Sequence, residues 1–152
     1  MYGRKGRIGL IVLDSDLTIE PDLRSILPEG VEVHAARVVY PRRVTAENLA
    51  IASDRAVEAV EQLLPIRPSA IAWACTSGSF SEGRAGNDRL VARLQEAAGD
   101  VPVTTASTAL AAARCRRAAS SARRRRGCSS GSAGRSRAPA PRRCRRWRAP
   151  CS

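Results

Sequence analysis

Residues 70–80 read AIAWACTSGSF. A short apolar run ends at Cys75, and Thr76, Ser77, Gly78 and Ser79 follow at once. The apolar residues predict a buried strand. The small hydroxyl residues and glycine predict a tight turn whose backbone N–H groups stay free to bind an anion. A cysteine therefore stands where a buried strand meets a donor-rich turn. The elements on either side decide whether that junction lies at the edge of a sheet.

Upstream, Arg7–Leu13 (RIGLIVL) is a continuous apolar run, as in a strand covered on both faces. Asp14–Thr18 is a polar turn, and Thr18 can cap a short helix that carries Glu20 and Pro21 in its first turn and ends near Leu27. Val31–Val39 is a second strand. Thr45 can cap a long helix running to Leu64, with Leu49, Ala56, Val57, Val60, Leu63 and Leu64 at helical spacing. Downstream of the quoted stretch, Cys75–Gly86 reads as a glycine- and serine-rich loop. Asn87 can cap a third helix that Gly99 stops, Val101–Thr105 is a fourth strand, and Ser107–Ala113 begins a further helix.

The expected fold is α/β, with a parallel sheet in the order β-α-β-α-β-α-β and right-handed crossovers. Ligands of such sheets bind beyond the carboxyl ends of the strands. Three polar turns fall there: Asp14–Thr18, Cys75–Ser79 and Thr104–Thr108.

The net charge of +12 is unevenly spread. Residues 1–113 hold 12 Lys and Arg against 14 Asp and Glu, while residues 114–152 hold 14 Arg and no acid. After Leu110 there is no Val, Ile, Leu, Met or Phe. Such a segment buries too little surface to offset its ordering entropy, so residues 1–113 are expected to fold and 114–152 to form a disordered basic tail. The simultaneous loss of acids and aliphatics at one boundary suggests a shifted reading frame. Four of the five cysteines lie in this tail, without a C-x-x-C pair or a histidine, which argues against zinc. No secretory leader and no membrane-length apolar run is legible, so the expected location is cytoplasmic.

Cys75 is either an inert small hydrophobe or a thiolate acting as nucleophile or base. A nearby helix N-terminus would favour the thiolate. Thr76, Ser77 and Gly78 can hold a carboxylate or oxyanion, or simply form a turn. Ser15, Asp16 and Thr18 can orient a substrate or bond the thiol, or simply cap a helix. His34 lies within the second strand and reads as structural. No phosphate-binding glycine motif is present.

IGLIVLDSDLTIEP, AWACTSGSF and PVTTASTALAAA, in that order, resemble the Asp/Glu racemase superfamily, in its branch of maleate cis-trans isomerases and arylmalonate decarboxylases. The resemblance covers about residues 6–113. It implies the first half of a two-domain fold whose halves face each other across a cleft, each supplying a cysteine, with neither metal nor organic cofactor. It implies an isomerase or racemase acting beside a carboxylate through Cys75, or a decarboxylase of the same branch. Thr76 and Ser77 would hold the carboxylate of a small acid substrate. Where the isomerases carry an asparagine, this chain has Asp16, whose charge disfavours a dicarboxylate unless Asp16 is protonated. Beyond Ala113 the resemblance ends, the second half-site is missing, and an impaired enzyme is expected. A different class of function is non-specific nucleic-acid binding through the Arg-rich tail. An apolar surface left uncovered by the missing half would favour pairing of copies.

Overall fold

The computed structural model describes residues 2–41 and 43–127. The chain runs β1 (Gly6–Leu13), α1 (Ile19–Ile26), β2 (Val31–Val38), α2 (Ala46–Leu63), a single 3-10 turn (Leu64–Ile66), β3 (Ala70–Trp73), α3 (Thr76–Phe80), α4 (Gly83–Ala98), β4 (Val103–Thr105) and α5 (Ala106–Gly127). The four strands form one parallel sheet in the order β2-β1-β3-β4. This is the expected α/β architecture.

The chain divides after Thr108, and residues 1–108 form a compact unit of their own. This first unit holds the sheet. On one face of it, α1 covers Leu10, Val12 and Val33 with Ile19, Leu23 and Leu27. On the other, α2 and α4 bury Ile11, Val38, Ile71 and Trp73 beneath Leu49, Ala56, Val60, Leu63, Leu90 and Leu94. Residues 10, 11 and 12 alternate between the two faces and all three are buried, which is why β1 reads as an unbroken apolar run. Small side chains on α2 (Ala52, Ala56, Ala59) let that helix lie close to the sheet. Its start is capped as expected, with the Asn48 N–H donating to Thr45 Oγ1 at 3.2 Å.

The strand order fixes where a ligand site belongs. From β1 the chain crosses to β2 on one side, then returns past β1 to β3 on the other. The connections leaving β1 and β3 therefore part in opposite directions and open a crevice between their carboxyl ends. Asp14–Thr18 follows β1, and Cys75 follows β3.

Three expectations are corrected. Residues 75–86 do not form a loop: they fold into α3 and the start of α4, separated where Gly83 takes a positive φ of 66°. Asn87 does not cap α4, which begins at Gly83; it is buried one turn inside that helix. Thr18 makes no side-chain cap to α1, because Asp16 takes that role.

The last helix continues past Ala113 to Gly127, so residues 114–127 are helical. The rest of the basic tail, 128–152, lies outside the described residues, and with it Cys128, Cys144 and Cys151. No helix among the described residues is long and apolar enough to cross a membrane.

Candidate active site

Cys75 follows β3 after one intervening residue, at the start of α3, and its sulfur accepts from the Gly78 N–H at 3.3 Å, capping that short helix. Only 8% of the residue is exposed. A side chain at Gly78 would be crowded: its Cβ would lie 3.2 Å from the sulfur and 3.4 Å from the Trp73 ring. Thr76 and Ser77 are exposed beside it.

The turn after β1 supplies the neighbouring charge. Asp16 Oδ1 accepts from the N–H groups of Thr18 (2.9 Å) and Ile19 (3.1 Å), and from the Thr18 hydroxyl at 3.3 Å. Burial opposes its ionisation, yet these donors and the Arg37 guanidinium hold the Asp16 carboxyl below its usual range. The alternative of a protonated Asp16 is therefore corrected: at neutral pH it is a carboxylate. Ser15 lies exposed on the same turn.

Cys75 moves the opposite way. Burial pushes the thiol above its ordinary value; the Gly78 and Ser77 N–H groups pull it down without cancelling that cost, and the Asp16 charge adds to it. The proximity of a helix start does not win here, because α3 is a single short helix and the sulfur is nearly enclosed. The resting state is the thiol.

The third turn joins through hydrogen bonds. Ser79 Oγ and Ser107 Oγ are 2.7 Å apart, and the Ser107 N–H donates to Ser79 Oγ at 3.3 Å. Behind them, Thr105 Oγ1 donates to Asn87 Oδ1 at 2.6 Å, and Asn87 Nδ2 donates to Thr108 Oγ1 at 3.0 Å. Thus α3, α4 and the end of β4 are tied into one scaffold under Cys75. His34 lies mid-strand in β2, paired in register with Gly9, away from this edge.

Two supporting roles escape sequence reading: that of Arg37, to which it assigns none, and that of Asn87, which reads as a helix cap. Arg37, near the end of β2, donates to the Asp16 carbonyl at 2.7 Å and to the Asp14 carbonyl at 3.3 Å, and pairs with Glu20. It holds the β1–α1 turn in place. Its signal is an arginine near the end of the otherwise mostly apolar run AARVV. Asn87 gives no signal beyond being a polar residue on the apolar side of a helix.

A cavity of about 330 Å³ opens between α2, α3 and α4, lined by Ser53, Asp54, Gly78, Ser79, Glu82 and Arg93 among others, but not by Cys75 itself. Arg93 pairs with Asp54, and Arg89 with Glu82, so its charged groups are already matched. It lies between helices rather than at the strand ends, and the thiol marks the site. Among the described residues no cluster of His, Cys, Asp and Glu could hold a metal ion.

The arrangement offers one enclosed sulfur that accepts from a backbone N–H, two exposed hydroxyl residues beside it, and a negative charge whose field reaches it. It suits chemistry in which sulfur meets carbon while donors stabilise charge on an adjacent carboxylate.

A sequence profile of the arylmalonate decarboxylase family matches residues 8–125, reaching beyond Ala113, where the resemblance had been expected to end. No curated protein sequence matches the chain. Among solved structures, a doubly substituted arylmalonate decarboxylase in its liganded form is 26% identical, with a TM-score of 0.62, over 72% of this chain and 46% of its own. A cysteine-to-alanine variant of the maleate isomerase from Pseudomonas putida with maleate is 25% identical, with a TM-score of 0.61, over 69% and 46%. A cysteine-to-serine mutant of the Nocardia farcinica maleate cis-trans isomerase, with a covalently bound succinylcysteine intermediate, is 25% identical, with a TM-score of 0.56, over 66% and 44%. The chain spans about half the length of the solved structures it matches.

Proposed function

Because this chain belongs to the arylmalonate decarboxylase family, within the Asp/Glu racemase superfamily branch that includes the maleate isomerases, we propose that its site performs isomerase- or decarboxylase-type chemistry at the carbon next to a carboxylate, with Cys75 as the reactive group. The observation that carries this reading is the placement of Cys75 between β3 and α3, at the crevice where the connections from β1 and β3 part.

Both chemistries place negative charge on a carboxylate-bearing carbon, either by adding a thiolate to a double bond or by moving a proton or carbon dioxide. In each case the charge spreads onto the carboxylate oxygens, which then need donors. Thr76 and Ser77 are exposed beside the sulfur and fill that role. The succinylcysteine of the Nocardia isomerase supports sulfur–carbon bond formation as the isomerising step here.

Asp16 narrows the substrate. Its ionised carboxylate acts electrostatically on Cys75 and repels a second negative charge. The favoured substrate is an acid with one carboxylate near this turn, or a dicarboxylate whose second group points away from it. Ser15 and Thr18 flank that choice as orienting hydroxyls.

Racemisation needs groups on both faces of a carbon, and the described residues of the first unit supply one thiol. Exchange at the α-carbon needs a group on one face only, so α-proton exchange is the more sensitive readout. The test is conversion of maleate, phenylmalonate and 2-phenylpropionate, together with solvent-deuterium exchange, in the wild type and in Cys75→Ser. Loss of all conversion and exchange in Cys75→Ser supports the reading. Conversion unchanged by that substitution removes Cys75 from the mechanism.

A further inference from the structure

Trp73 lies two residues before Cys75 and is fully enclosed, packed in one cluster with Cys75, Leu49, Ala52 and Leu90. Its indole Nε1 is the buried side-chain nitrogen or oxygen left without an acceptor among the described residues. Buried donors are nearly always satisfied, so an orphan at this place calls for a reason. The ring is not free to turn toward water, because every side of it is packed.

The geometry names the missing acceptor. A Cβ placed on Gly78 would lie 3.2 Å from the Cys75 sulfur and 3.4 Å from Trp73 Nε1. Sulfur and indole nitrogen thus both crowd the position that a Gly78 side chain would occupy. In the thiol state the sulfur accepts from the Gly78 N–H and is a weak acceptor for a second donor. A thiolate is a far better one.

We propose that Trp73 is a positioning residue for Cys75: its indole N–H is held in reserve beside the thiol and becomes a second donor to the sulfur when Cys75 loses its proton to solvent. The inference rests on the proposed role of Cys75 and extends it. It accounts for an enclosed cysteine that still reaches its charged form. The sulfur loses hydration on burial, and a preorganised donor replaces part of it at the moment the charge appears.

The groups acting on the sulfur are few. Asp16, from the turn after β1, is the charged group that opposes ionisation. α3 presents the Ser77 and Gly78 N–H groups. α2 presents Leu49, Ala52 and the Ser53 hydroxyl, which lies 3.4 Å from the Gly78 carbonyl, and α4 presents Leu90. Among the described residues, Trp73 Nε1 is the buried side-chain donor left without a partner in this shell.

The test uses the full chain with its indole nitrogens isotopically labelled. There are two tryptophans, and Trp147→Phe assigns the Trp73 signal by NMR. The ionisation midpoint of Cys75 comes separately from the pH dependence of iodoacetamide alkylation, read by peptide mass spectrometry. Asp16→Asn controls for the carboxylate. The expected result is a downfield movement of the Trp73 indole proton with the Cys75 midpoint, absent in Cys75→Ala. Replacing Trp73 by benzothienylalanine, which keeps the ring shape and removes the N–H, should slow alkylation below the midpoint by about threefold or more, equivalent to about half a pH unit. An indole signal that ignores Cys75 ionisation, or an unchanged midpoint in the benzothienyl protein, overturns the inference. Either result leaves the proposed function standing if Cys75→Ser abolishes turnover. Conversely, turnover that survives Cys75→Ser sinks the function without touching the indole titration.

Discussion

At Cys75 two effects compete, and their balance sets what the residue can do. Burial raises the thiol pKa, backbone donors lower it, and Asp16 raises it further. Asp16→Asn removes the charge and keeps an oxygen for the Thr18 and Ile19 N–H groups. It should lower the Cys75 pKa and speed alkylation at neutral pH, measured with iodoacetamide; an unchanged or slower rate would show that the carboxylate does not act on the sulfur. Asp16 has its own pH signature. Its folded-state pKa is depressed, so the stability it contributes is present above the ordinary carboxylate range and is lost as pH falls through the lower folded value. Urea denaturation should therefore show a steeper acid decline for the wild type than for Asp16→Asn. Asp16→Ala, which also removes the donors' partner, should cost about 0.5–1 kcal/mol at neutral pH. The cysteine was legible in sequence because an apolar run ended on it. The division of labour between Asp16 and Thr18 was not: both are cap-forming residues, and the choice depends on Arg37, some twenty residues further along, holding the turn's carbonyls.

At the scale of elements, the instructive departure is α3 and the start of α4. Glycine and serine disfavour helix, and a glycine- and serine-rich stretch reads as loop. Here tertiary contacts override that preference. The Cys75 sulfur caps α3, the Ser79 hydroxyl bonds the Thr76 carbonyl at 2.9 Å, and Ser79 is buried against Ser107. These partners are remote in sequence or are chosen by packing, and no local pattern reveals them. Asn87 was misread for the same reason. As a cap it would be exposed; as a buried bridge to Thr105 and Thr108 it ties α4 to the end of β4. Asn87→Ala leaves the buried Thr105 hydroxyl with fewer partners and should destabilise the first unit by about 1–3 kcal/mol in urea denaturation. Asn87→Ala with wild-type stability would mean that this network is not structural. The strands and long helices, by contrast, were legible because apolar periodicity and the Thr45 cap are local signals.

For the molecule as a whole, the break in composition does not stop the last helix. Acids and aliphatics are lost beyond residue 113, yet α5 runs to Gly127 and the family match to residue 125. Alanine and arginine are strong helix formers, so such a segment can continue a helix without an apolar face to bury. We retain the proposal of a shifted reading frame for the tail, and gene sequence tests it: a single-base shift beyond the Ala113 codon should restore alternating strand and helix patterns and a second strand-end cysteine. Deleting residues 128–152 removes seven of the fourteen arginines beyond residue 113, so it should weaken any salt-sensitive binding to DNA while leaving the Cys75 alkylation rate unchanged. The parallel sheet and its carboxyl edge were legible from alternating strand and helix patterns. The opening between β1 and β3 was not, because strand order depends on which neighbours pair.

The central claim is that Cys75 lies in a site for a small carboxylic acid, and ligand protection tests it most directly. The intact chain is alkylated with iodoacetamide with or without 2-phenylpropionate, phenylmalonate or maleate, and each cysteine is followed by peptide mass spectrometry. The account predicts that the acids slow modification of Cys75, with the monocarboxylate most effective in the wild type and the dicarboxylates gaining in Asp16→Asn. Cys115 and the tail cysteines should be unaffected. Alkylation of Cys75 at the same rate with and without every acid would contradict it.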